Sequence, residues 1–533
     1  MKRSNAELIA DALRDFGVRW VFGVPSGPVL PLIEALRGAG VQYVLTASET
    51  SAGFMATVVG ELTGTPGVCV ATLGPGATNL ATGVGAAWLD RAPVLAITCN
   101  VGTAWLERRI QMRIDHHALM APLTKASIPL RTDNMLETLG AAFDLARNEP
   151  PGPVHLDLPE DVATAPATSG GSAAGVPWGG RVGRVAQRVT AAPSVEAVLR
   201  DARRPLLVTG LGLTRSRATR ALLAFVEAQQ MPFISTLHAK GCLPESHPCW
   251  AGVLGRARRS DVQAFIDRAD LILSVGYDPI EINYEEWVGS KRIVHIDREP
   301  PDVPVAASVG GDLDEAIEHL AGLPRIPNDW TGEEIAEHRR TLDRALRPTS
   351  SAFGPHHVLD VLQRKLPPDA ILAYDVGAHT HQIATQWRTD LPLTCISTNG
   401  WSSMGFGLPA AYAAKLVYPE RPVVGVVGDG CFLLTAGELS VARRLQLNVP
   451  VVVLNDGWLA LIKVKQERKE YALEGVRLGE PPPSPPHYFG VPCRGARTAD
   501  ELDSALDWGL QLGGPSVIEA FIEVEPYSTT VYD

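Results

Sequence analysis

The 533-residue chain has no C-x-x-C pair, and no apolar run reaches the roughly 18 residues that span a bilayer. Its seven cysteines, at 69, 99, 242, 249, 395, 431 and 493, are scattered. An odd, unclustered set reads as reduced thiols, and so as a cytoplasmic protein. Positive charge is not in excess either. The net charge of −11 argues against nucleic acid or an anionic membrane as the main partner. The first residues, MKRSNAELIADALRDFGV, read as an amphipathic helix and not as a signal peptide. Short-period repeats are absent. What is present is a globular composition, 45% apolar and 20% charged, at a length that suits about three domains.

Two stretches interrupt the chain. Residues 163–184 are rich in Ala, Ser, Gly and Pro, which build no core, and read as a linker. Residues 326–354 are charged, run into PTSSAFGP and read as a second connection. This leaves blocks 1–162, 185–325 and 355–533. Each alternates short apolar runs with helical patterns. The runs are VRWVFGVP, VQYVLTAS, GVCVATLGPG and APVLAITC in the first block, and RPLLVTGLG, MPFISTL, ADLILSVGYD and KRIVHID in the second. The third has AILAYDVG, PVVGVVGDG, VPVVVLND and PSVIEAFI. Such alternation predicts an α/β protein of three parallel-sheet domains. The stretch PPPSPP, Pro481 to Pro486, reads as a surface loop near the third domain's site.

The most informative segments are Gly428-Asp429-Gly430 and Asn455-Asp456-Gly457-Trp458. Asp429 follows the apolar run Pro422 to Val427, and Asp456 follows Val449 to Leu454. Glu438 to Leu445 between them reads as a helix. A strand-helix-strand unit with an acid at the carboxyl end of each strand sets both acids where parallel sheets hold ligands. Two oxygen side chains there suit a hard cation such as Mg²⁺, and the glycines let backbone approach a diphosphate.

This pattern resembles the signature of thiamine diphosphate (ThDP) enzymes, in which GDG is followed by an Asn pair. Asp456 replaces the second Asn here, and Cys431 replaces a common polar residue; Asp456 still supplies an oxygen. The resemblance implies metal ligation by Asp429, Asp456, the backbone carbonyl of Trp458 and two diphosphate oxygens. Gly428, Gly430, Cys431 and Leu459 then border the cofactor. Asp375-Val376-Gly377-Ala378-His379 resembles the family's diphosphate-contacting turn, so Gly377, Ala378 and His379 are expected at the cofactor. In the segment NGWSSMGFGLP, residues 399–409, similarity places Met404 between the two cofactor rings. It also makes the Ser402 carbonyl an acceptor for the 4′-amino group. The bland reading of Met404 is core packing.

Residues 63–98 resemble the pyrimidine-binding domain of the acetolactate synthase group, and an activating Glu of that group occupies the place of Glu49. Glu49 ends the strand Val41 to Leu45 and opens a small-residue helix; by itself it reads as a dipole-complementing acid. Resemblance makes it the catalytic carboxylate that shares a proton with the pyrimidine N1′, with the Gly74–Asn79 turn, Asn79 included, as part of the site wall. Glu49 and the two aspartates lie in different domains. In the family these meet across a subunit interface, which implies a homodimer or homotetramer. Residues 269–297 look most like the middle domain of flavin-independent acetolactate synthases, so FAD is possible but unlikely; Gly210-Leu211-Gly212 alone is weak evidence for a nucleotide.

Four positions bear on the reaction. Pyruvate decarboxylases carry acids where this chain has Gly27 and Ile462, and those acids protonate the acyl-anion unit to give an aldehyde. Without them, transfer to a second carbonyl is favoured. His116 and His117, in HHAL, resemble the histidine pair of 2-oxo acid decarboxylases and are candidate catalytic groups, since imidazole moves protons near neutral pH. The expected activity is decarboxylation of a 2-oxo acid and transfer of its acyl-anion unit to a carbonyl acceptor, as in an acetolactate-synthase-like carboligase. Open alternatives are a simple decarboxylase, including the phosphonopyruvate or sulfopyruvate type, an aldehyde or acyloin lyase, and a catalytically silent ThDP-fold subunit. Small-molecule 2-oxo acids, aldehydes or ketones, and a second copy of the chain are the expected partners.

Overall fold

The computed structural model describes residues 3–168, 194–349 and 352–531. Most of the expected linker 163–184 lies outside the described residues, as does the start of the block 185–325. Among the described residues the strands form three sheets, and the chain forms two compact units.

The first unit contains residues up to 168 together with 400–420 and 435–447. Its sheet holds β1 (Trp20–Gly23), β2 (Gln42–Leu45), β3 (Gly67–Ala71), β4 (Val94–Asn100), β5 (Ala126–Pro129) and β6 (Pro153–Pro159). They lie in the order β2-β1-β3-β4-β6-β5, every pairing parallel. Parallel strands need crossover helices, which cover both faces of the sheet. Hence β3 and β4 read as nearly unbroken apolar runs, and all their residues are buried. The N-terminal helix expected from the sequence runs Asn5–Asp15 and starts with a Ser4/Glu7 capping box.

The helix Glu49–Thr63 is buried along nearly its whole length, which explains its small residues. A Cβ added at Gly53 would lie 2.6 Å from the Cα of Gly83 in the helix Pro75–Leu89. One at Gly60 would lie 2.3 Å from the Pro93 carbonyl oxygen. The helix also packs against Gly407–Val417, with the rings of Phe54 and Phe406 edge to face at 5.3 Å.

The second unit contains residues 194–399, 421–434 and 448–531 and carries two sheets. One is fully parallel: β7 (Pro205–Thr209), β8 (Phe233–Ser235), β9 (Trp250–Val253), β10 (Leu271–Val275), β11 (Arg292–Ile296) and β12 (Ala307–Val309), in the order β12-β11-β10-β7-β8-β9. The other holds β13 (Ile371–Tyr374), β14 (Cys395–Ile396), β15 (Val423–Gly428), β16 (Pro450–Asn455), β17 (His487–Tyr488), β18 (Val491–Ala496) and β19 (Ser516–Phe521). Its order is β14-β13-β15-β16-β19-β18-β17, parallel except for β17. All twelve runs singled out in the sequence are strands, so the α/β class with three parallel-dominated sheets holds.

Topology already points to the ligand position in this last sheet. From β13 the chain goes to β14 on one side and then to β15 on the other. Such a reversal leaves a crevice at the carboxyl ends of the two strands. Asp375 leaves β13 there, and Asp429 leaves β15. The parallel reversal between β7 and β10 is filled by the chain itself, since a Cβ at Gly210 would lie 2.4 Å from the Cα of Tyr277.

The stretch 326–354, expected as a connection from its charge, holds the 14-residue helix Gly332–Ala345. Its apolar positions are few but placed on one side: Ile335, Leu342 and Leu346 are buried, and Trp330 donates its indole N–H to the Pro205 carbonyl at 2.9 Å.

Candidate functional site

Glu49 is the first residue of its helix and is 9% exposed. Ser48 caps that helix by accepting from the Ser51 N–H at 3.2 Å. The Asn79 amide donates to Glu49 Oε2 at 3.2 Å, and the Thr50 hydroxyl donates to the Asn79 carbonyl at 2.6 Å. A Cβ at Gly76 would lie 3.3 Å from Glu49 Oε1. The Gly74–Asn79 turn is thus folded onto the carboxylate. Gly74 itself has φ +61°, and a Cβ there would lie 2.3 Å from the Met112 carbonyl oxygen, so glycine is required on two counts.

The same unit holds the segment of Ser402 and Met404. The Gly400 N–H donates to Asp90 at 2.8 Å, and the Trp401 ring fills the space a side chain at Gly85 would need. Ser402 is exposed and left-handed, with φ +51°. Met404 is half-buried and so is not simply a core residue. Gly27 is exposed at the start of the turn Gly27–Val29, with open space where a side chain would project.

His116 is enclosed, and both of its ring nitrogens are engaged. Nδ1 lies 2.9 Å from Asp157 and 2.9 Å from the Thr98 hydroxyl, while the Gly74 N–H donates to Nε2 at 3.4 Å. The Asn100 amide also donates to Asp157, at 3.1 Å. Burial alone would raise Asp157, but hydrogen bonds and charge from His116 and Asn100 hold it below the usual carboxylate range. Beyond Thr98 the network continues through His155 and Ser127 to the half-buried His117, each contact 2.6–2.7 Å. Burial keeps His155 neutral, with its pKa down to about 3. Sequence reasoning missed Thr98, Asn100, His155 and Asp157. The available signal was four polar residues inside two strands otherwise built of apolar side chains.

In the second unit, parallel pairing sets Gly428 beside Leu454, so Asp429 and Asp456 emerge from neighbouring strand ends. Asp429 accepts from the Gly430 N–H at 2.7 Å and from the Gly457 N–H at 2.8 Å; Asp456 accepts from the Trp458 N–H at 2.9 Å. Burial pushes Asp429 up to about 6. Burial and the charge of Asp429 push Asp456 well above the usual range. Two desolvated carboxylates, one raising the other's proton affinity, form a donor set for a cation. Among the described residues no cluster of three or more His, Cys, Asp and Glu side chains suits a metal ion. This pair needs further oxygens from backbone and ligand, as a hard cation in a diphosphate site would have.

The turn after β13 is knitted to this pair. The ring of the buried His379 occupies the space beside both Gly377 and Gly428, within 2.8 and 3.2 Å of a Cβ at either. Burial holds that ring neutral, with its pKa down to about 4. The Cys431 thiol donates to the Val376 carbonyl at 3.1 Å, so the unusual residue after GDG ties the two turns together. Ala378 is buried. Leu459 is half-buried, its N–H donating to the Val476 carbonyl at 2.7 Å, and Ile462 is 42% exposed. Glycine-lined turns at a topological reversal, beside paired carboxylates, fit a diphosphate with its divalent ion.

Fold and turns together define a multi-sheet α/β enzyme of the diphosphate-cofactor class. Three family models match the chain: thiamine pyrophosphate enzyme, N-terminal TPP binding domain over residues 3–121, central domain over 194–320, and C-terminal TPP binding domain over 375–520. The acetolactate synthase of Bacillus subtilis is 30% identical, across 98% of this chain and 94% of its own length. Acetolactate synthase isozyme 2 large subunit of Escherichia coli is 29% identical, across 98% and 96%. The chain therefore belongs to the thiamine pyrophosphate enzyme family. Among the described residues no helix is long and apolar enough to cross a membrane.

Proposed function

We propose that the protein is a ThDP- and Mg²⁺-dependent carboligase that decarboxylates a 2-oxo acid and passes the acyl-anion unit to a carbonyl acceptor. The observation that carries this reading is the buried Glu49, held by Asn79 at the start of an enclosed helix. Bound ThDP supplies the electron sink for loss of CO₂ and the nucleophilic carbon for transfer. Glu49 holds a proton at its carboxylate for the pyrimidine N1′, in surroundings dry enough to strengthen that hydrogen bond. Asn79 fixes the rotamer of Glu49. Asp429, Asp456 and the Trp458 carbonyl would hold Mg²⁺, with Gly377 and His379 shaping the diphosphate turn. The Ser402 carbonyl and the Met404 side chain would bind and bend the cofactor. A second copy of the chain would complete each site, giving a homodimer or homotetramer.

Carboligation is favoured over protonation because neither Gly27 nor Ile462 delivers a proton. The relatives named as acetolactate synthases support the same choice. His116 has both nitrogens occupied, which counts against direct proton delivery by it and so against a simple decarboxylase. Seven cysteines without a disulfide fit a cytoplasmic setting.

The test is the product spectrum of protein reconstituted with ThDP and Mg²⁺ and given pyruvate and other 2-oxo acids, with and without aldehydes. Acetolactate or another acyloin is expected, and CO₂ with only free aldehyde would overturn carboligation. Glu49→Gln should keep the fold and lose turnover by about 100-fold or more. Unchanged turnover would remove Glu49 from the mechanism.

A further inference from the structure

Glu438 is a carboxylate with no role in the reading above, yet it is 1% exposed. It lies in the short turn Ala436–Glu438, just before the helix Leu439–Leu445, within the first unit. Its side chain does not face solvent to complement a helix end. Instead the Ala47 N–H donates to Oε1 at 3.0 Å and to Oε2 at 3.1 Å, and the Ser48 N–H donates to Oε1 at 3.2 Å. These are the two residues immediately before Glu49. Their N–H groups lie outside the helix and have no place in the β1–β2 ladder, so an acceptor must come from elsewhere.

A charged acceptor for two consecutive amides is a strong and directional hold. Burial raises the proton affinity of Glu438, while bonds from Ser51, Ala47 and Ser48 oppose that rise. Other bonds act on the same short connection. The Thr46 hydroxyl donates to the Ser48 carbonyl at 2.8 Å, and Arg444 donates to the Leu45 carbonyl at 2.6 Å. Among the described residues, Glu438 is what grips the amides that lead directly into Glu49. The helix then fixes Glu49 from its other side through the Gly53–Gly83 contact.

We propose that Glu438 is the positioning residue for Glu49: it clamps the Ala47 and Ser48 amides and so sets where the Glu49 carboxylate meets the cofactor's pyrimidine. The proposal rests on the reading of Glu49 as the activating acid. It predicts that loss of the clamp slows cofactor activation without weakening cofactor capture, since capture depends on Asp429, Asp456 and the diphosphate turns.

The experiment uses full-length holoenzyme with ThDP and Mg²⁺. It measures exchange of the thiazolium C2 proton for deuterium by acid quench and NMR, ThDP affinity by intrinsic fluorescence, and the thermal midpoint. Glu438→Ala should slow exchange by about 10- to 100-fold, the scale of a misplacement near 1 Å. ThDP affinity should stay within threefold, about 0.7 kcal/mol. Glu438→Gln keeps one acceptor oxygen and should fall between wild type and Glu438→Ala. Thr46→Val breaks a bond to the same connection without touching the two amides or the charge on Glu438, and should leave exchange unchanged. Where Glu438→Ala fails to fold, Glu438→Gln decides, with slowed exchange at a wild-type midpoint as the supporting result. Exchange within twofold of wild type in the folded Glu438 variants overturns the clamp, provided Glu49→Gln slows it. If Glu49→Gln leaves exchange unchanged, the reading of Glu49 fails, and the clamp falls with it.

Discussion

Asp429 reaches into the turn that carries Asp456: its Oδ2 accepts the N–H of Gly457 at 2.8 Å, which ties the first carboxylate to the backbone of the second. In a low-dielectric pocket such a pair repels unless a cation stands between its members. Chelation with EDTA should therefore release ThDP, and added Mg²⁺ should restore it. Asp429→Ala or Asp456→Ala should each weaken ThDP binding more than about 10-fold, a loss expected even for an outer partner of a metal ligand. Asp456→Asn should still bind, because its amide oxygen remains a donor. Fluorescence titration with ThDP at fixed Mg²⁺ reads all three; metal-independent affinity would remove the ion from the site.

Open space at Gly27 makes a direct test of product choice available. Gly27→Glu should fold normally and raise the ratio of free aldehyde to acyloin several-fold. Ile462→Glu, on a side chain already 42% exposed, should act in the same direction. Gas chromatography of the products from a single 2-oxo acid measures the ratio. An unchanged ratio in both variants would show that proton delivery is set elsewhere.

The His116 network should matter more for stability than for chemistry. His116→Leu leaves Asp157 and the Gly74 N–H without their partner and should cost about 2–4 kcal/mol. His117→Leu, at a half-buried position with one bond to Ser127, should cost about 1 kcal/mol. Denaturant unfolding distinguishes the two. Equal effects, or a loss of turnover in His117→Leu with full stability, would reassign the histidines to proton transfer.

A pH effect is expected at the end of β11. Burial pushes Asp297 up to about 6, against an unfolded value near about 4. The native state holds that proton more tightly, so its stabilising contribution is complete below about 4 and disappears as pH rises towards 6. At pH 8 the ionised, buried carboxylate costs about 2–3 kcal/mol. Asp297→Asn keeps the acceptor for the Glu299 N–H and should be more stable than wild type at pH 8, with no gain at pH 4. A gain of equal size at both pH values would count against a titrating Asp297.

Sequence and structure agree most closely where information is local. Apolar runs marked β15 and β16, and the acids that follow them were legible because parallel strands are buried on both faces and end at ligands. The helix of Glu49 was legible from its small residues. Gly53 and Gly60 sit where neighbouring backbone comes within reach, although spacing alone could not say which backbone. The helix Gly332–Ala345 was hidden because its few apolar positions are diluted by charge. His155, Asp157 and Glu438 were not legible as partners. Their contacts join residues 57, 41 and about 390 positions apart, and no periodicity encodes such a distance.

The helix Gly407–Val417 lies against the helix of Glu49, and their chain positions are about 350 residues apart. During synthesis the amino-terminal sheet therefore emerges long before one of the helices that covers it. Until roughly three-quarters of the chain has been made, Phe54 and its neighbours lack their cover, and Ala47 and Ser48 wait longer still for their acceptor, Glu438. An amino-terminal fragment ending before residue 400 would expose that apolar surface and be prone to aggregate. The first unit is spatially compact but is completed late, so its folding waits on the carboxyl-terminal third of the chain.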